Sequence, residues 1–170
     1  MFSACDILLL QETWLYSFQV SSITNLLPDS LCHAVSSMSD DDIGRQGRPY
    51  GGVAIIWHKH LPLSILTVAT TSKRISALTV TNKNSKLLLV NVYMPTDDNS
   101  QQSMIKYGDV LDEVVSIMQL HYGYNCIIAG DFNVNFNKID SKNLTLFKIF
   151  IELECLYCSN LEYDISPSFT

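Results

Sequence analysis

The chain has 170 residues, 47% of them hydrophobic, with seventeen acids against eleven bases for a net charge of −6. That hydrophobic share supports one packed domain and excludes a chain too polar to fold. The negative balance is the wrong sign for gripping nucleic acid through bulk charge alone, and apolar runs such as 7–10 and 87–90 fall far short of the roughly 20 residues a membrane-spanning helix needs.

No basic leader precedes the first apolar run, so the expectation is an intracellular protein without a secretory signal. Residues 6–10 form the first strand-like run. A short helix follows at 16–27, ended by Pro28, and then a strand at 31–36. Residues 37–50 carry Asp40, Asp41, Asp42, Gly44, Gly47 and Pro49 and read as a surface loop. Further strands are expected at 52–57, 65–70, 75–81 and 86–93, several of them apolar on both faces as buried strands are. Met104, Tyr107, Leu111, Val114, Val115, Met118 and His121 then recur at helical spacing behind Asp97-Asp98-Asn99-Ser100, which predicts a helix over 100–122. A strand at 126–129 and a second amphipathic helix from Lys142 to about 156, capped by Ser141, complete the order. This mixture of strands and helices predicts a single α/β domain, a layered sandwich with a mixed sheet.

The five cysteines suit reduced thiols, with Cys5 and Cys126 expected inside the fold. Cys155 and Cys158 have the spacing of half a zinc site, but no second pair completes it, and they read as a helix face.

Two acids stand where an α/β scaffold presents chemistry, immediately after apolar strands. Glu12 follows the first and sits beside Trp14; Asp131 follows Gly130 and lies two residues before Asn133. A magnesium ion needs hard oxygen ligands and usually takes only one or two protein carboxylates, so Glu12 could anchor one. Hydrolysing a phosphodiester also requires a water oriented and deprotonated, which suits Asp131 and Asn133. Tyr93, at the end of 86–93 and before Pro95, could hydrogen-bond a phosphate oxygen. Taken singly, each acid reads better as an exposed strand end, and Tyr93 as a ring packed at a sheet edge; their combination is what points to a site.

In order, Asp6-Ile-Leu-Leu-Leu-Gln-Glu12-Thr-Trp14, Gly47-Arg48-Pro49-Tyr50-Gly51-Gly52-Val53-Ala54-Ile55, Asn91-Val-Tyr93-Met-Pro95 and Ala129-Gly130-Asp131-Phe132-Asn133 resemble the endonuclease/exonuclease/phosphatase superfamily over nearly the whole chain. The Gln-Glu-Thr-Trp and Gly-Arg-Pro-x-Gly-Gly forms look most like the endonuclease domains of non-LTR, LINE-type retrotransposons. The resemblance implies a DNase I-like, four-layer α/β sandwich of two mixed sheets flanked by helices. It also implies Glu12 as the metal-binding glutamate, Tyr93 as the phosphate-contacting tyrosine, Asp131 as the residue activating the water and Asn133 as its partner. The implied cofactor is Mg²⁺, with Mn²⁺ as the alternative ion. The implied reaction nicks DNA to leave a 3′-hydroxyl for a downstream reverse transcriptase, in the nucleus.

The same resemblance expects an asparagine strand before the glutamate and an aspartate and an Asp-His pair at the end. None of these has a counterpart by motif, and His33, His58, His60 and His121 do not supply one. The expectation is therefore a partial, incomplete domain with impaired hydrolysis. Two other readings stay open: a non-catalytic remnant or binding module, and a phosphatase or lipid phosphodiesterase of the same superfamily, against which the 47–52 stretch argues.

Overall fold

The computed structural model describes residues 5–38, 50–137 and 141–154. Two sheets stack face to face. The first has strand order β1-β3-β2, from Ile7–Gln11 (β1), Ser30–Val35 (β2) and Val53–His58 (β3); the second has order β4-β5-β6-β7, from Ser64–Val68 (β4), Ile75–Thr81 (β5), Lys86–Tyr93 (β6) and Asn125–Asp131 (β7). A 3₁₀ turn, Ser17–Gln19, leads into helix α1 (Val20–Leu26), which lies against β2. Helices α2 (Gln101–Leu120) and α3 (Lys142–Leu153) pack on the outer face of the second sheet.

Strand alternation explains the layering. On β5 and β6, Ile75, Ala77, Leu88, Val90 and Val92 join Tyr107, Val110, Leu111 and Val114 of α2 and Phe147 and Phe150 of α3. The alternate residues Leu78, Val80 and Leu89 meet Ile55 and Trp57 of β3. The second sheet is therefore apolar on both faces, which is why its strands read as continuous apolar runs. Both long helices carry serine caps: Ser100 accepts from the Ser103 N–H and Ser141 from the Leu144 N–H.

Among the described residues seven strands and three helices stand in the order expected; strand ends shift by two residues at most, α1 begins four residues later than expected, behind the 3₁₀ turn, and α3 ends about three residues earlier, and the sandwich with flanking helices is as implied. One expected sheet differs in detail. Within the described residues the first sheet is antiparallel throughout, because β3 lies between β1 and β2 and runs against both. Only the second sheet is mixed, its parallel pair being β6 and β7, the two strands joined through a helix.

Smaller expectations also change. Gly52, expected inside a strand, has φ +88 and stands just before β3. Met38, expected on a surface loop, is buried, while Cys5 is exposed and Cys126 half-buried. The acidic triplet at 40–42, the stretch 47–49 and the Cys155/Cys158 pair lie outside the described residues. Among the described residues no helix is long and apolar enough to cross a membrane.

Candidate active site

Helix α2 carries the chain back across the second sheet between β6 and β7, so the two strands run parallel and their C-terminal ends lie side by side. The register pairs Tyr93 with Asp131. The end of β1, in the other sheet, meets them through Asn91 of β6. This wholly buried amide donates from Nδ2 to the carbonyl oxygens of Leu10 at 2.9 Å and Ala54 at 3.0 Å, and its Oδ1 accepts from Gln11 Nε2 at 2.5 Å. Two residues on, Tyr93 leaves β6 on the same face. Its hydroxyl donates to Glu12 Oε1 at 2.7 Å, and Trp14 Nε1 donates to Glu12 Oε2 at 3.2 Å.

The backbone around these groups is strained. Glu12, Trp14 and Asn133 have φ of +52, +55 and +48, a left-handed conformation that costs non-glycine residues roughly 1–3 kcal/mol each and persists where neighbours over-determine it. Those neighbours are identifiable. The N–H groups of Thr13 and Trp14 donate to the carbonyls of Gly52 at 3.2 Å and Gly51 at 2.9 Å, carrying the β1–β3 pairing past the end of β1. On the other side Gly130 has φ +142, and a side-chain carbon there would strike the Val92 backbone, so only glycine lets β7 deliver Asp131 this close to β6.

Asp131 and Asn133 form one turn. The Asn133 N–H donates to Asp131 Oδ1 at 2.9 Å, and Met94 N donates to the Asp131 carbonyl at 2.8 Å. The Asn133 side chain donates from Nδ2 to the Met94 carbonyl at 2.7 Å and ties this turn to the one after Tyr93. Below it the Tyr107 hydroxyl donates to the Phe132 carbonyl at 3.0 Å.

Sequence reasoning missed Arg74. Its Nη1 donates to the Tyr93 carbonyl at 3.1 Å and its guanidinium lies over the Tyr93 ring, 5.3 Å from the centroid. The available signal was a base directly before β5, hence at the same sheet end as Tyr93. Around the phenol, the hydrogen bond to Glu12, then burial and the charges of Glu12 and Asp131, push its pKa up to about 12, with Arg74 opposing. Tyr93 therefore stays a neutral donor at neutral pH.

The donor set fits a hard divalent cation. Glu12 and Asp131 are exposed carboxylates, and their joint effect on Tyr93 reveals a negative field at this point. Among the described residues no group of three or more His, Cys, Asp or Glu gathers to hold an ion. The histidines lie elsewhere in the fold: His33 on β2, His58 ending β3, His60 in the following turn and His121 capping α2.

Residues 1–151 match the Endonuclease/Exonuclease/phosphatase family. No curated protein matches the sequence. Among solved structures the fold is similar to the 3′ phosphatase NExo from Neisseria bound to product DNA hairpin, with a TM-score of 0.60 and 18% identity over 89% of this chain and 63% of that one. It is also similar to the endonuclease domain of TRAS1, a telomere-specific non-LTR retrotransposon, with a TM-score of 0.57 and 15% identity over 89% of this chain and 59% of that one. An AP endonuclease from Archaeoglobus fulgidus gives a TM-score of 0.59 and 16% identity over 89% of this chain and 61% of that one. The likeness is one of fold, and this chain spans about three-fifths of the length of those structures.

Proposed function

The chain belongs to the endonuclease/exonuclease/phosphatase family, and from that premise we propose that its site hydrolyses a phosphodiester bond of DNA with the help of a divalent metal, as a nicking endonuclease of the retroelement type. One observation carries the reading: the Tyr93 hydroxyl is held by Glu12 and stands in the field of Glu12 and Asp131, where three strand ends from two sheets meet. Support for DNA as the substrate comes from the fold neighbours, which include a retrotransposon endonuclease domain, an AP endonuclease and a phosphatase bound to a DNA hairpin.

Glu12 would hold Mg²⁺ or Mn²⁺. Such an ion supplies positive charge for the phosphate and the departing oxygen. The neutral Tyr93 phenol donates a hydrogen bond to a non-bridging phosphate oxygen in place of its present bond to Glu12. Asp131 accepts the proton of the attacking water through one carboxylate oxygen, while the Asn133 N–H fixes the other. As the water oxygen bonds to phosphorus, the bond between phosphorus and the 3′ oxygen breaks and that oxygen takes a proton from solvent, leaving a 5′ phosphate and a 3′-hydroxyl. In an intact element a reverse transcriptase would extend that hydroxyl in the nucleus.

The test is nicking of supercoiled plasmid by the chain, shown by circular dichroism to be folded, with Mg²⁺ or with EDTA, beside Glu12→Gln and Asp131→Asn. Nicking that requires Mg²⁺ and is absent in both variants is the expected result. A folded chain that leaves the plasmid supercoiled would sink the proposal and leave a binding module in its place.

A further inference from the structure

Next to Tyr93 a cleft of about 350 Å³ opens between the loop before β5 and helix α2, within the ~300–1,000 Å³ usual for small-ligand sites. In a chain of net charge −6, three cations line it: Lys73, Arg74 and Lys106. Two acids line it as well. Glu113 is already engaged, since its carboxylate accepts from Thr71 N at 2.6 Å, Thr71 Oγ1 at 2.9 Å and Ser72 N at 2.9 Å. Its negative charge is thereby turned toward the loop, and exposed Asp109 is the remaining acid. Among the described residues the Lys73 ammonium donates a long 3.4 Å hydrogen bond to the Ser37 carbonyl, and Lys73 and Lys106 are both exposed.

The cleft is continuous with the candidate site. Arg74 lines it and covers the Tyr93 ring, and Pro95, two residues after Tyr93, forms part of its wall. A nucleic-acid strand with one phosphate at Tyr93 would pass over Arg74 and bring its next phosphate between Lys73 and Lys106. We infer that this cleft is a second phosphate subsite, which takes the polynucleotide backbone beside the scissile bond. The inference rests on DNA as the substrate proposed above. It places local positive charge where an acidic chain needs it, and recognition is of the backbone, without sequence preference.

The probe is a fluorescein-labelled single-stranded oligonucleotide, with binding to the full chain followed by anisotropy in EDTA from low to moderate salt, so that hydrolysis does not intervene. Neutralising one phosphate-binding lysine lowers the slope of log Kobs against log salt by about 0.7, so Lys73→Gln with Lys106→Gln should flatten it by about 1.4. Lys73→Arg with Lys106→Arg should keep the slope, as should Lys83→Gln in the β5–β6 hairpin at the far end of the sheet. Slopes unchanged in the glutamine double variant, or a wild-type chain that does not bind the oligonucleotide, would overturn the subsite. Lysine-dependent binding without plasmid nicking would uphold it while removing the hydrolytic reading; nicking with unchanged slopes would do the reverse.

Discussion

The Tyr93 hydroxyl donates a 2.7 Å hydrogen bond to Glu12, a residue 81 positions away in the chain and just past the end of β1 in the opposite sheet. Because the folded phenol titrates at about 12 against an ordinary 10.0, the folded state holds this proton more tightly than the unfolded one. The associated stability is fully present below pH 10 and is lost as pH rises toward 12. Glu12→Gln removes the charge that opposes ionisation, so the Tyr93 titration should move toward 10. The difference in phenolate absorbance between each protein and its Tyr93→Phe counterpart measures it. An unmoved titration would show that the carboxylate is not the cause.

Asn91→Leu should destabilise the chain by about 2–3 kcal/mol. It strands the buried carbonyls of Leu10 and Ala54 and the Gln11 amide, and an unsatisfied buried polar group costs roughly 1–3 kcal/mol. Urea unfolding gives the number. Nicking should also fall in the folded fraction, since Asn91 places the ends of β1 and β6 together.

Gly130→Ala combines a positive φ with a clash against the Val92 backbone. A loss of at least about 2 kcal/mol is expected, because strained backbone alone costs roughly 1–3 kcal/mol. Asp131 must shift with it. A melting temperature equal to that of the unaltered chain would mean that β7 has more room than its spacing implies.

Ser141→Ala removes both the cap of α3 and a 2.7 Å hydrogen bond from Ser141 to Asp97 Oδ2. Cap loss costs about 1 kcal/mol, and the effect should appear as lowered stability with nicking retained. Thermal unfolding and plasmid nicking on the same preparation separate the two.

The sequence made the strand ends legible because chemistry-bearing residues there interrupt apolar runs: Glu12 after β1, Tyr93 at the end of β6 and Asp131 at the end of β7. What it hid were relationships between segments. Asn91 sits inside an apolar strand and looks like a flaw in the pattern until the first sheet supplies its three partners. Nothing in Glu12 or Trp14 announces a left-handed backbone, since neither residue type favours it; the constraint comes from Gly51 and Gly52, remote in sequence. The bond from Asn133 Nδ2 to the Met94 carbonyl was hidden because it joins two strand ends brought together by the parallel crossover, whereas adjacency to Asp131 is local and visible in the sequence. Arg74 escaped because strand pairing, and not chain proximity, brings it over Tyr93. Residue type thus marked the candidate positions, and non-local pairing decided their orientation.

Asn91 also governs how the molecule can move. Sliding one sheet over the other by a single residue would break all three of its hydrogen bonds at once, so they resist shear between the sheets. Any adjustment to a bound strand must then fall to the turns that cap the sandwich, at 12–14, 51–52, 72–74 and 131–133, moving on an unyielding base.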